Sequence, residues 1–150
     1  MIQALTTKKV AVIQPAAIVD DAAWTCVAVD TKGWDYCVID CILGATDIAM
    51  ALLKLTESDD DSSYSDVPGT TYGTSVNDTG SASTLPSSTD DNKLFGFAVD
   101  CRARKRYLKL AATGGDGAAG AYLAAIATLS RGEQGSLTAA QAGYSQRMIV

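Results

Sequence analysis

The most conspicuous charged stretch of the chain is a run of cations between residues 101 and 110, which reads CRARKRYLKL. Its basic side chains are Arg102, Arg104, Lys105, Arg106 and Lys109. The chain as a whole is acidic, with 12 Lys and Arg against 17 Asp and Glu and a formal net charge of -5. Such a run could bind phosphates, keep an exposed strand soluble, or pair with carboxylates at a protein interface.

Nucleic-acid binding is the least favoured of these three uses. The surrounding acidity opposes the attraction to phosphates, and no repeated aromatic platform accompanies the arginines. A solvated strand face remains an alternative, because alternate charges discourage edge-to-edge pairing of strands. Arginine pairs bidentately with carboxylates and is enriched at contacts, which favours a protein interface, with another protein or between copies of this chain.

A second motif lies at residues 115–120, where GDGAAG matches the glycine spacing of dinucleotide-binding turns and Glu133 stands downstream at about the distance of the ribose-binding acid. That turn functions at a helix N-terminus inside a larger β–α sheet. The 30 residues after Gly120 do not supply such units. We therefore interpret the motif as a flexible hairpin turn and expect no cofactor.

The acidic run Asp59–Asp61 resembles the start of a calcium-binding loop. In this sequence Tyr64 occupies the position of the obligatory glycine, and Thr70 occupies that of the closing glutamate. A solvated turn that ends the preceding strand is favoured over a weak cation site, and we expect no metal centre.

The cysteines and the missing histidine restrict the chemistry further. Cys26, Cys37, Cys41 and Cys101 lie in apolar, β-branched surroundings and are expected to be reduced and buried. Cys37 and Cys41 would lie about 13 Å apart on one strand face, too far to share a metal ion. With no histidine, Ser-His and Cys-His nucleophile pairs are excluded. No spacing selects another catalytic pair, so we expect neither an enzyme nor a small-molecule substrate.

Short apolar runs bounded by turn residues predict an all-β fold. Strands are expected over residues 8–14, 24–30, 34–43, 50–58, 94–101 and 121–131, and Arg102, Arg104 and Arg106 share one face if 102–112 is extended. Residues 50–58 and 121–131 would also fit helices. Residues 58–93 form a long polar loop, too polar to supply core, and 132–150 a C-terminal arm. The result is a single domain over 1–150, a β-sandwich or jelly-roll-like fold.

No apolar run approaches the roughly 20 residues that cross a bilayer, and the N-terminus lacks the pattern of a signal peptide. We therefore expect a soluble protein made in a cytoplasm, with no membrane partner.

Several segments together carry a resemblance to a known class of proteins. The stretch WDYCVIDCILGATDIAMALLKLTESDDDSSYSDVPG, followed by DNKLFGFAVDCRARKRYLKLAAT and AYLAAIATLSR, is similar to small virion proteins of tailed bacteriophages that are encoded beside the major capsid protein. The similarity lies in the order of these elements and covers most of residues 24–131. It implies a capsid decoration (cement) protein with a jelly-roll or related sandwich, which trimerises on the outer surface of the head and stabilises the shell.

The resemblance gives the basic residues an expected role. Arg102, Arg104, Lys105, Arg106 and Lys109 would meet acidic partners on the major capsid protein or across the homotrimer. The N-terminal segment with Lys8 and Lys9, and the C-terminal arm, would be ordered by neighbours. Two alternatives remain open: a receptor- or glycan-binding module that uses Tyr64 and Tyr72 as stacking surfaces, and a small tail or connector component.

Overall fold

The computed structural model describes residues 6–13, 18–133 and 135–149, and within them it is built from strands and two short 3-10 turns. The strands are β1 (Lys8–Ile13), β2 (Val29–Asp30), β3 (Trp34–Thr46), β4 (Leu52–Ser58), β5 (Ser65–Asp66), β6 (Leu94–Asp100), β7 (Tyr107–Thr113) and β8 (Ala121–Gly132). The 3-10 turns are Ser88–Asp90 and Cys101–Ala103. The predicted all-β class is confirmed, and residues 50–58 and 121–131 both form strands rather than helices.

The strands form two antiparallel sheets, which we call the first sheet (β1-β8-β3-β6) and the second sheet (β2-β7-β4-β5). Strand β1 pairs with β8, β2 with β7, β3 with β6, and β4 with β5. The first strand thus pairs with the last, the second with the second last, and so on inward to the consecutive strands β4 and β5. This is the pairing of one long antiparallel hairpin that is rolled up into two sheets. This is the strand order of a jelly roll, and it confirms the predicted β-sandwich.

The core lies between the two sheets because alternate residues of each strand point inward. In β3 the inward residues Cys37, Ile39, Cys41 and Leu43 are fully buried. Leucines of β4 and β7 belong to the same apolar cluster, and alanines of β8 leave room for these larger side chains.

The segment 24–30 is only partly a strand, which corrects the prediction for it. The Trp24 N–H donates to the Ala112 carbonyl of the second sheet, at 3.0 Å, whereas the Val27 N–H donates to Val12 of the first sheet, at 2.9 Å. Because the segment crosses from one sheet to the other, it cannot follow either ladder along its whole length. Only Val29–Asp30 pairs as strand β2.

The long segment between β4 and β6 is a folded cover over the sandwich, and the prediction that it is too polar to supply core is wrong. Val67 and Pro86 are buried. The Tyr72 ring packs edge-on against Phe95 and Phe97, with centroids 5.7 and 5.4 Å away. Its hydroxyl donates to the Gly96 carbonyl at 2.9 Å and accepts the Gly96 N–H at 3.1 Å. Tyr72 therefore protects the free edge of β6.

The chain ends also differ from the predicted arms. Lys8 and Lys9 lie within strand β1 and pair with β8, so they do not belong to an extended arm. In the C-terminal segment, Leu137 and Ala142 are buried, and the Lys9 N–H donates to the Ala142 carbonyl at 2.8 Å. This part of the predicted arm packs on β1 of its own domain. Of the predicted arms, residues 1–5, Gln134 and Val150 lie outside the described residues; residues 14–17, after β1, do so too.

The four cysteines are buried and unpaired, as predicted. Burial raises the pKa of the Cys37 and Cys41 thiols to about 12, and that of Cys101 to about 11. Because the thiolate is the reactive form, we expect native protein at neutral pH to react with a thiol reagent only as fast as it unfolds. The exposed variant Ser81→Cys is the control and should add one rapidly reacting thiol. Rapid labelling of any native cysteine would contradict this expectation.

Candidate interaction surface

The predicted strand of arginines is instead a turn whose guanidinium groups pair within the chain. The Asp100 carboxylate accepts the Arg102 backbone N–H at 3.1 Å, which starts the 3-10 turn after β6. Arg102 Nη2 lies 2.6 Å from Asp100, Arg104 Nη1 lies 3.5 Å from Glu57, and Arg106 Nη2 lies 2.7 Å from Asp30. The arginines thus point toward different parts of the surface rather than along one face.

Two of these ion pairs perturb the titration of their carboxyl groups. The hydrogen bond from Arg102 lowers the pKa of Asp100 to about 2. The Arg106 guanidinium likewise holds the pKa of Asp30 below its usual value. Both carboxylates therefore stay charged at neutral pH, and part of the basic run is neutralised by the chain itself.

Three of the four lysines among the predicted interface residues, all except Lys8, are also engaged locally. Lys105 Nζ donates to Ser65 Oγ at 3.2 Å, and Lys109 Nζ lies 5.1 Å from the centroid of the Tyr64 ring. Lys9 Nζ donates to Thr128 Oγ1 at 2.5 Å. The interface role of these residues stays a prediction, but their charges have partners in this domain.

The glycine-rich motif at 115–120 connects β7 of the second sheet to β8 of the first. The prediction that it is a hairpin turn is therefore wrong, because the two strands that it joins do not pair with each other. Strand β8 follows it, where a dinucleotide site needs a helix. The N–H groups of Ala118 and Ala119 both donate to the Asp47 carboxylate, at 2.6 Å. These bonds lower the pKa of Asp47. The donors that a phosphate would require are thus occupied by a carboxylate of the chain.

The acidic run after β4 forms the predicted turn. The Asp60 carboxylate accepts the N–H groups of Ser62 and Ser63 at 3.0 Å and the Ser58 hydroxyl at 2.8 Å. These bonds hold the pKa of Asp60 well below its usual value. Within the described residues, no group of three or more His, Cys, Asp or Glu side chains could hold a metal ion.

The outer surface of the first sheet is the candidate interaction surface, and sequence reasoning did not identify it. Of the 11 large apolar side chains exposed among the described residues, five lie on this one surface. The strand register places them in adjacent rows with three alanines. We call this set the apolar face, and its members are Ala11, Val38, Ile42, Leu94, Ala98, Tyr122, Ala124 and Ile126.

The apolar face is bordered by cations at one end. Arg102 and Arg131 lie over the Tyr36 ring, at 5.2 and 5.5 Å from its centroid, in the row next to Val38. Lys9 occupies the same row as Val38 on the far strand. Of the predicted interface residues, Lys9 and Arg102 thus border the apolar face, and the rest of the basic run belongs to the side of the second sheet.

A single carboxylate interrupts the apolar face. Asp40 pairs in register with Ile126 on one side and Gly96 on the other, so it lies in the middle row. Its carboxylate makes no hydrogen bond or ion pair within the part of the chain that the structure describes. The face therefore offers a partner apolar area with one negative charge at its centre.

The outer surface of the second sheet has the opposite character. Lys54 pairs with Asp66 at 2.7 Å, and Thr56 Oγ1 donates to the Lys109 carbonyl at 2.8 Å. Polar groups on that surface satisfy one another, as on an ordinary solvated sheet. An extended apolar patch on one sheet only is typical of a protein contact surface.

Two cavities accompany these surfaces. One, of about 620 Å³, lies beside β6 between Leu94 and the cover segment at Tyr72 and Val76. The other, of about 580 Å³, lies at the end of the sandwich beside Trp34. The tyrosines of the glycan-binding alternative are both engaged, since Tyr72 packs on the core and Tyr64 donates to Asp61 and contacts Lys109.

Comparisons of this chain with family models, with curated proteins and with solved structures find no match. Among the described residues, no helix is both long and apolar enough to cross a membrane.

Proposed function

We propose that this chain is a structural virion protein that binds the outer surface of a phage capsid and stabilises it, as a decoration (cement) protein. The observation that carries the proposal is the apolar face, a rigid surface whose rows are fixed by β-sheet pairing. Attachment to a shell requires contact area on a rigid scaffold, and burial of apolar area contributes roughly 25 cal/mol per Å². The resemblance to virion proteins and the jelly roll, which also forms viral capsid domains, support the same function.

The partner in this proposal is the major capsid protein, and the protein acts as a homotrimer on the capsid surface. The apolar face makes the main contact, with Lys9 and Arg102 at its border. The side chains of Arg102 and Arg106 are still 57% and 43% exposed, so carboxylates of the capsid or of a neighbouring copy can reach them. A protein that binds only the assembled shell stabilises that shell by mass action.

The test is the double variant Ile42→Asp and Ile126→Asp, mixed with undecorated heads of the phage whose major capsid protein is the proposed partner. We expect affinity to fall by about 100-fold or more, because uncompensated carboxylates would be buried in the contact. The matched control is Ile48→Asp, since Ile48 is 45% exposed, close to 47% for Ile42 and 46% for Ile126, but lies off the face. Bound protein is measured after pelleting the heads.

Each outcome has a defined meaning. Normal binding by the double variant would overturn the role of the apolar face. Failure of the unmodified protein to bind heads, or its recovery with purified tails, would overturn the proposed function. Light scattering on the purified free protein tests the trimer, which requires three times the chain mass.

A further inference from the structure

The cavity beside Trp34 has features that attachment to a capsid does not use. It has a volume of about 580 Å³ and lies where the turn before β3 meets the C-terminal segment. This volume is within the usual range for small-ligand sites. The side chains that matter for its chemistry are Lys8, Lys32, Trp34, Glu133, Leu137 and Gln141.

Trp34 supplies a fixed aromatic wall. It pairs in register with Gly132, and its ring lies where a side chain at Gly132 would be, since a Cβ there would stand 2.7 Å from the ring. The backbone N–H of Trp34 also donates to the Thr31 carbonyl at 3.0 Å, which fixes the start of β3. Its indole N–H has no hydrogen-bond partner among the described residues. A ring of this kind offers an apolar face and one polar donor.

The charged groups around this wall make no hydrogen bonds or ion pairs, although Lys8 has a charged neighbour in Asp30, which is itself paired with Arg106 and whose pKa Lys8 helps to lower. Within the described residues, neither the Lys8 nor the Lys32 ammonium makes a hydrogen bond or an ion pair, and the same is true of the Glu133 carboxylate. Gln141 uses its Oε1 to accept from Thr138, at 3.0 and 3.1 Å, which leaves its amide N–H groups as donors. Two cations, one acceptor and one amide donor thus surround an aromatic wall in a chain of net charge -5.

From this arrangement we infer that the Trp34 cavity binds a carboxylated sugar unit, such as a hexuronic acid. The apolar face of the pyranose ring lies on Trp34, and the sugar carboxylate lies between Lys8 and Lys32. The Glu133 carboxylate and the Gln141 amide take the hydroxyl groups as acceptor and donor. A simple anion would leave the aromatic wall unused, and a neutral hydrophobic ligand would leave two ammonium groups unpaired. The inference is independent of capsid binding.

The two tryptophans of the chain make a direct test possible. Trp24 is only 8% exposed and lies in the core, so its indole N–H signal is an internal control in ¹H-¹⁵N spectra of the intact protein. Titration with D-glucuronic acid is expected to shift the Trp34 indole signal and to leave that of Trp24 unchanged. Glucose and sodium phosphate, added in parallel at the same ionic strength, separate recognition of the sugar ring from recognition of the charge.

Substitutions assign the binding to this cavity. The double variant Lys8→Gln and Lys32→Gln should bind glucuronic acid about tenfold more weakly, because its carboxylate loses both cations. Lys93→Gln, at an exposed lysine elsewhere, should bind normally. The inference is overturned if the Trp34 signal does not move, if glucose shifts it equally, if phosphate alone reproduces the shift, or if the double variant binds normally.

Discussion

Replacing Gly120 with alanine is expected to lower the free energy of unfolding by about 3 kcal/mol. Gly120 has a φ of +73°, and a Cβ there would lie 2.6 Å from the Val19 carbonyl oxygen and 2.9 Å from the Asp20 Cβ. The left-handed backbone costs a side chain about 1–2 kcal/mol, and displacing well-packed neighbours costs about 1–3 kcal/mol more. The nearest neighbour is the Val19 backbone carbonyl, which the reciprocal Val19 and Ala121 hydrogen bonds, at 2.9 and 3.0 Å, hold in place, so it cannot move freely.

The matched control for this prediction is Gly80→Ala. Gly80 has almost the same φ, +78°, but a Cβ there would meet nothing within 4 Å. Gly80→Ala should therefore lower the free energy of unfolding only by the cost of the left-handed backbone conformation, about 1 kcal/mol. Urea unfolding of the three proteins measures the difference. Equal losses in the two variants would show that the close approach of β8 to the segment at Val19 does not constrain the fold.

The all-β class was predictable because the core strands carry their own signal. In β3 the inward positions are cysteine, isoleucine or leucine, and turn residues bound the run on both sides. At 121–131 the alanine content favoured a helix, whereas Tyr122, Ile126 and Thr128 and the glycine-rich turn before them indicated the strand. Pairing with β1 and β3 on both sides overrides that propensity.

The ion pairs of the basic run were not predictable from local sequence. Arg106 donates to Asp30, which is 76 residues away in sequence, and the Lys105 backbone N–H donates to Glu57, which is 48 residues away. Such partners are set by the strand order of the jelly roll, which composition does not specify. The one local signal was Asp100, which is two residues before Arg102 and binds its backbone and its side chain.

The sequence does carry a signal for the apolar face, namely apolar residues on both faces of one strand. A strand that faces solvent on one side alternates apolar and polar residues. In β3 both faces carry apolar residues, since Val38 and Ile42 alternate with buried Ile39 and Cys41. Whether such a strand is covered on both sides, or exposes an apolar surface, depends on where the other strands lie, and so required the structure.

Replacing Glu57 with alanine is expected to lower the free energy of unfolding by about 2 kcal/mol. Glu57 is only 9% exposed. Its Oε2 accepts the Lys105 N–H at 3.1 Å, and its Oε1 lies 3.5 Å from Arg104. Removing it leaves a half-buried guanidinium and a backbone donor without their partner, and each loss costs about 1–3 kcal/mol. Glu57→Gln keeps an acceptor for the N–H and should recover part of the loss.

Asp66→Ala is the control that separates burial from distance. The Lys54–Asp66 pair is shorter than the Glu57–Arg104 pair, at 2.7 Å, but the Asp66 side chain is 61% exposed. Its loss should cost no more than about 1 kcal/mol, because solvent screens exposed pairs. The same ion pairs limit how the interface can be tested. Reversing the charges of Arg104 and Arg106 would place like charges beside Glu57 and Asp30 and disturb the turn. If Glu57→Ala proved as harmless as Asp66→Ala, the turn would not depend on this pair, and Arg104 would be free to serve a neighbouring protein.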